Sequence, residues 1–386
     1  MAFIPYSCQN IDADDIAAVV AVLSSEYLTQ GPAVAAFEAA FAQRHQVAHA
    51  VSVANATAGL HIACLALDIG PGSLVWTTPN SFLASANCAL YCGASIDFVD
   101  IDARSRNLSV AALEKKLVAA KAAGKLPDAI IPVDFSGLPC DLREMRSLAD
   151  HYGFRIIEDA SHAAGAQYLG QPCGSAWADL SVFSFHAVKV VTTAEGGMVT
   201  TQDAALARKL ELLRSHGMTR IPGEMQQPSP GGWYYEQQLL GFNYRMTDLQ
   251  AALGSSQLRR MEAMQAGRIH LADNYDRLLA DLPLQLPLRQ DDRLSSWHLY
   301  AVEVDASRTT LTRAQVFEAL RQAQIGVNVH YIPIHTQPFY QAMGFRPGDF
   351  PVAEQYYAGT LSLPLFPAMT QQQQERVAQV LRQALA

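Results

Sequence analysis

From residue 48 to residue 159 the chain repeats one pattern. A short apolar run is followed by a stretch whose apolar positions recur at helical spacing. The run at 48–53 precedes a helical stretch at 57–67. In the same way 74–78 precedes 81–91, 96–99 precedes 110–123, and 129–133 precedes 142–152. A last run, 154–158, leads into the loop at Asp159. This rhythm predicts an α/β fold with a mostly parallel sheet covered by helices on both faces. Ligands of such sheets bind at the carboxyl ends of the strands. Asn55, Thr77, Asp134 and Asp159 all fall there, so the polar residues gather at one edge.

Outside this region the period changes. Residues 12–42 read as helical, with Ile11, Ile16, Val19, Val20 and Leu23 at helical spacing. Beyond Thr247, the residues Leu249, Leu253, Leu258, Met261, Met264, Ile269, Leu271 and Leu278 predict one long helix, or two in series, to about residue 279. Pro283 and Pro287 mark a break. The tail then reads as a strand at 297–304, a helix at 314–324, a strand at 327–332 and a closing helix at 371–385. Two lobes are expected: a large one over 13–255 and a smaller one over 256–386, joined by residues 1–12. The segment 222–232, rich in Pro, Gly and Gln, reads as a surface loop.

Composition narrows the function. A chain of 386 residues, half of them hydrophobic and 17% charged, is long enough to bury a large core. Its net charge of −8, with no basic run longer than Arg259-Arg260 or Lys115-Lys116, argues against a nucleic-acid partner. No apolar run reaches membrane-spanning length, and the start lacks the charged and apolar regions of a signal peptide. A cytoplasmic enzyme with no membrane partner is the expectation. Cys8, Cys64, Cys88, Cys92, Cys140 and Cys173 form no CxxC pair. They read as small buried thiols, and no metal set stands out.

The candidate chemistry lies between residues 184 and 197. Lys189 sits on a loop between the apolar runs 179–185 and 198–200, just before Gly196-Gly197. Thirty positions upstream, Asp159 closes another apolar run. A lysine and an aspartate at the ends of neighbouring strands are what pyridoxal phosphate (PLP) chemistry needs. The lysine holds the aldehyde as a Schiff base, and the aspartate keeps the pyridine nitrogen protonated. A buried lysine also loses its proton readily and can carry protons between carbons. Asp159 has a competing reading as a helix cap, which the short glycine-bounded segment 160–165 disfavours. Ala54-Asn55-Ala56-Thr57 is a strand-to-helix junction, suited either to a phosphate or to an ordinary cap. Phe82 is placed to lie on a pyridine face or to pack in the core, and His162 to stack near the ring or to pack.

Taken together, these segments resemble the PLP-dependent sugar-nucleotide aminotransferases of the DegT/StrS type, over nearly the whole chain. The resemblance rests on Leu28-Thr29-Gln30-Gly31-Pro32, on Phe98-Val99-Asp100-Ile101-Asp102 and on Glu158-Asp159-Ala160-Ser161-His162-Ala163. It rests also on the 184–197 stretch and on residues 241–254, which begin Gly241-Phe242-Asn243-Tyr244-Arg245. It implies the aspartate-aminotransferase-like fold (fold type I), with a seven-stranded large domain, and a homodimer with sites at the interface. Lys189 would be the Schiff-base residue and Asp159 the pyridinium partner. Ser184, Ala56 and Thr57 would hold the phosphate, with Asn243 reaching in from the other subunit. Many members carry glutamine where this chain has His162, and Gly-Thr where it has Ala56-Thr57. Relatives with histidine at the lysine position are dehydratases; Lys189 argues against that branch.

Segments 233–238, 327–333, 348–351 and 363–367 are similar to the branch that serves pseudaminic acid biosynthesis. That similarity implies transfer of an amino group from L-glutamate to C4 of a UDP-linked 4-keto-6-deoxy-N-acetyl hexose. Tyr6, Tyr27, Leu28, Thr29, His330 and Tyr331 would line the sugar-nucleotide site. The alternatives are an aminotransferase for a GDP- or dTDP-linked keto sugar, or a non-catalytic sensor of PLP or sugar nucleotide.

Overall fold

The computed structural model describes residues 2–385. Met1 and Ala386, the outer limits of the expected smaller lobe, lie outside the described residues. The strand–helix rhythm folds into a seven-stranded α/β sheet, as the resemblance implies. Its strands are β1 (His49–Val53), β2 (Leu74–Thr77), β3 (Ser95–Phe98), β4 (Ala129–Ile131), β5 (Arg155–Asp159), β6 (Leu180–Ser184) and β7 (Gly197–Thr201). In space they run β1-β7-β6-β5-β4-β2-β3. Only β7 is antiparallel to its neighbours, β1 and β6. The connections fit this: helices carry the chain back between successive parallel strands from β1 to β5, a crossover through the short hairpin 167–172 does so between β5 and β6, and β6 reaches β7 by a short loop that simply reverses the chain. That loop carries Lys189.

Large helices cover both faces of the sheet. On one face α3 (Ala56–Ala66), α4 (Ala84–Tyr91) and α7 (Ala204–Arg214) pack on Val75, Ile131, Ile157, Val182 and Val199. On the other, α5 (Val110–Ala123) and α6 (Leu142–Tyr152) pack on Trp76, Ile130 and Ile156. Neighbouring residues of one strand thus enter opposite cores, which is why the runs read as continuously apolar. Phe37 and Phe41 of α2 (Pro32–His45) fill a third cluster with Phe183, Phe185 and Met198.

The helical period at the N-terminus resolves into α1 (Ala13–Leu23) and α2, not one helix. The break is at Gly31-Pro32. Proline opens α2, and the buried Asp248 carboxylate accepts the Gly31 and Ala33 N–H groups at 2.8 and 2.9 Å. The helix expected at 81–91 starts at Ala84, which leaves Phe82 on the preceding loop. Two helices in series, α8 (Asp248–Arg259) and α9 (Met261–Leu279), follow the long period after Thr247.

The C-terminal part has its own core. A three-stranded antiparallel sheet, β8 (Leu284–Gln285), β9 (Tyr300–Val304) and β10 (Thr360–Leu363), packs against α10 (Arg313–Gln322) and α12 (Gln371–Leu385). Between them, α11 (Pro351–Gly359) leads into β10. Leu271, Tyr275 and Leu279 of α9 enter this core, and so does Ile4 from the N-terminal arm. The segment expected as a strand at 327–332 pairs only through a bridge between Asn328 and Ser362. Freed from a ladder, it can turn His330 and Tyr331 toward the large sheet. No helix among the described residues is long and apolar enough to cross a membrane.

Candidate active site

Asp159 ends β5, and Lys189 lies on the loop that leaves the adjoining β6. Both line one cavity of about 820 Å³ at the carboxyl edge of the sheet. Burial pushes the Lys189 amine down to about 8, while the Asp159 charge pulls it back up. The amine is therefore far less basic than an exposed lysine. Asp159 is buried; its Oδ2 accepts the Ser85 hydroxyl at 2.6 Å and its Oδ1 accepts the Ser161 N–H at 3.1 Å. These bonds aim the carboxylate into the cavity with neutral donors.

One end of the cavity is the first turn of α3. Asn55 caps this helix by accepting the Ala58 N–H at 2.9 Å. Ala56 and Thr57 follow it on the cavity wall, where first-turn N–H groups have no acceptor within the helix. Ser184, the last residue of β6, lines the same space. The backbone is closely fitted here. A Cβ on Gly197 would stand 2.8 Å from Ala56 N and 2.9 Å from Asn55 C, so β7 begins directly against the start of α3. Phe82 also lines the cavity and is 60% exposed; it is not a core residue.

The same cavity is lined by Tyr6, His162, His298, His330 and Tyr331. Ser136 N–H donates to His162 Nδ1 at 3.2 Å, which places the ring proton on Nε2. That nitrogen is 3.2 Å from the Tyr331 hydroxyl and donates to it. Burial, then the Lys189 charge, holds His162 and His298 well below the ordinary histidine range and brings His330 to about 4. Three neutral imidazoles thus surround the amine. Burial, then the Asp159 charge, raises the Tyr331 phenol, so it stays protonated as a donor.

Ten of the residues singled out in the sequence meet in this cavity: Tyr6, Ala56, Thr57, Phe82, Asp159, His162, Ser184, Lys189, His330 and Tyr331. Four do not. Asn243 is exposed and bridges to Ser215 outside it. Tyr27 and Leu28 are about half exposed, and Thr29 bridges to Thr247. Sequence reasoning missed Ser85, Ser136 and His298. A serine on a helix and another in a turn carry no motif, and only the folded chain brings them to Asp159 and His162. The six cysteines are free thiols, five of them buried and Cys8 half-buried.

An amine of lowered basicity, a buried carboxylate and a helix start with a hydroxyl beside it match an aldehyde, a pyridine nitrogen and a phosphate in turn. Residues 9–382 match the model of the DegT/DnrJ/EryC1/StrS aminotransferase family. The chain belongs to this family. Among DegT/DnrJ/EryC1/StrS relatives, the Spore coat polysaccharide biosynthesis protein SpsC of Bacillus subtilis is 39% identical over 98% of this chain and 96% of its own. Among solved structures, Helicobacter pylori PseC, an aminotransferase involved in the biosynthesis of pseudoaminic acid, superposes with a TM-score of 0.89. It is 32% identical and each chain is covered to 99%. S. venezuelae DesV, solved in complex with a ketimine intermediate, gives a TM-score of 0.87 at 29% identity, over 99% of this chain and 98% of its own. The chain is a PLP-dependent sugar aminotransferase of the DegT/DnrJ/EryC1/StrS family.

Proposed function

We propose that this aminotransferase moves an amino group from L-glutamate to C4 of a UDP-linked 4-keto-6-deoxy-N-acetyl hexose, as a step toward a pseudaminic-type sugar. The observation that carries the chemistry is the placement of Lys189 and Asp159 at adjoining strand ends, with the amine brought to about 8 by burial. PLP, when bound, supplies the electron sink that makes the amino-acid α-proton acidic. Lys189 Nζ would hold the aldehyde carbon and, when free, would act as the base that carries the proton between the amino-acid α-carbon and that aldehyde carbon. Asp159 would hold the proton on the pyridine nitrogen. The Ala56 and Thr57 N–H groups and the Ser184 hydroxyl would hold the phosphate. Phe82 would cover a ring face, and His162 with Tyr331 would offer it a neutral donor pair. The three uncharged histidines leave the proton traffic to Lys189.

The choice of sugar rests on the likeness to PseC and on the wall formed by Tyr6, His330 and Tyr331. Tyr27, Leu28, Thr29 and Asn243 stand outside the single-chain cavity, so their part in the site belongs to a homodimer that closes over it. Residues 13–255 form the PLP-binding lobe and 256–386, with 1–12, the smaller one; the entry of Ile4 into the C-terminal core supports this division. The enzyme acts in the cytoplasm, where nucleotide sugars are made.

A panel of UDP-, GDP- and dTDP-linked 4-keto sugars with L-glutamate tests the reading. The UDP-linked N-acetyl substrate is expected to give a 4-amino sugar and 2-oxoglutarate. Preference for a GDP- or dTDP-linked sugar would replace this assignment, and binding without turnover of any of them would favour a sensor.

A further inference from the structure

Successive residues of a strand face opposite sides, so where Asp159 looks into the cavity, Glu158 looks away from it. There it meets Asp134, just past the end of β4. Asp134 is 0% and Glu158 1% exposed. Each carboxyl group has one oxygen with a partner and one without. Asp134 Oδ1 accepts the Cys140 N–H at 2.8 Å, and Glu158 Oε2 accepts the Ser181 hydroxyl at 2.5 Å and the Gly174 N–H at 3.0 Å. Asp134 Oδ2 and Glu158 Oε1 are buried with no partner. Carboxylate oxygens of the two residues and the Cys173 sulfur lie within 4.8 Å of one another.

Among the described residues no cationic side chain pairs with either carboxyl group. Burial raises the Cys140 and Cys173 thiols well above their ordinary range, so both remain S–H. His45, whose Nδ1 hydrogen-bonds the Cys173 carbonyl, is held neutral by burial at about 4. Asp141 adds negative charge, and the Arg293 guanidinium beyond it is already taken up by Asp141 and Asp292, at 2.7 and 2.8 Å, and by the Pro139 carbonyl. Two ionised carboxylates here would repel each other with no water to screen them. A single proton gives both orphaned oxygens a partner at once.

We propose that Asp134 and Glu158 share one proton, with Asp134 Oδ2–H donating to Glu158 Oε1, and that this pair positions Asp159. The link is through the main chain. Asp159 N–H donates to the Pro132 carbonyl at 2.8 Å, and Asp134 N–H donates to the Asp159 carbonyl at 3.1 Å. Repulsion between the carboxylates would part β4 from β5 where these bonds hold the aspartate. Burial, then the Glu158 charge, keeps Asp134 well above the usual carboxylate range, and burial likewise raises Glu158. A raised value in the fold means the contribution is complete in acid, below the unfolded value, and falls as pH climbs through the folded one.

The role rests on Asp159 as the pyridinium partner, and the test separates the two ideas. Infrared spectra of the apoprotein at neutral pH are expected to show a protonated-carboxyl C=O band that vanishes in Asp134→Asn. The asparagine amide can still donate to Glu158, so this variant should keep PLP affinity and the absorbance of the bound cofactor. Asp134→Ala should weaken PLP binding by about tenfold and shift that absorbance. In Asp159→Asn the band should persist while PLP affinity falls; unchanged affinity there would count against the role of Asp159 and not against the shared proton. A wild type without the band, or equal losses in Asp134→Asn and Asp134→Ala, would overturn the proposal. So would one metal ion per chain in the purified protein that is lost in Asp134→Asn.

Discussion

The Ser85 hydroxyl donates to Asp159 Oδ2 over 2.6 Å, from a helix 74 residues away in sequence. Ser81 Oγ stands 2.7 Å behind it, so two serines one turn apart support a single carboxylate oxygen. A hydrogen bond to a charged acceptor is worth about 1.5–3 kcal/mol. Ser85→Ala should therefore loosen the carboxylate and lower PLP affinity by about tenfold or more, read by fluorescence titration of the apoprotein. Unchanged affinity would mean that Asp159 is held by its Ser161 N–H bond alone.

Lys189 gives a pH signature. Its amine is brought down to about 8 in the fold, against about 10.4 in an unfolded chain. The cost of burying its charge is complete below the folded value and is relieved as pH rises toward the unfolded one. The apoprotein should therefore gain stability between roughly pH 8 and 10.4, and Lys189→Met should lose that gain in thermal melts. The rate at which apoprotein takes up PLP should rise through pH 8 in the same samples.

The family resemblance implies glutamine as the common alternative to His162, and the hydrogen bonds fit either residue. His162 accepts the Ser136 N–H on one side and donates to Tyr331 on the other. A glutamine side chain offers the same acceptor and donor. His162→Gln should keep most of the PLP affinity. His162→Leu should cost about 1–3 kcal/mol in chemical denaturation, because it strands a backbone donor. Similar losses in both variants would show that ring stacking, not the hydrogen bonds, is what matters.

Asn243 tests the shared site. Ultracentrifugation should find a species of twice the 42.0 kDa chain. Lys189→Ala and Asn243→Ala subunits, each weakly active or inactive alone, should regain activity when unfolded together and refolded as hybrids. One of the two sites in such a hybrid is free of both lesions. Absence of recovery would place Asn243 outside the partner's site.

Much of this was legible in the sequence because parallel strands buried on both faces leave unbroken apolar runs. Those runs located Asp159 and Lys189 at strand ends before any fold was seen. What was not legible came from contacts between distant segments. The Gly31-Pro32 break between α1 and α2 depends on Asp248, more than 200 positions away. β10 is buried throughout and follows α11 without a loop, so it carries neither alternation nor a turn signal. The stretch at 327–332 has the composition of a strand, yet only one bridge forms, and its residues face the cavity instead. Ser85, Ser136 and His298 entered the site from a helix, a turn and the segment that leads into β9, and none belongs to a pattern.

The meeting of Gly197 with Ala56 has a mechanical consequence. The loop that bears Lys189 ends at Gly197, whose main chain lies against that of Ala56, at the turn we propose for the phosphate. A methyl group added at position 197 has no room there. Gly197→Ala is therefore expected to lever the end of that loop off the turn and to unsettle amine and phosphate seat together.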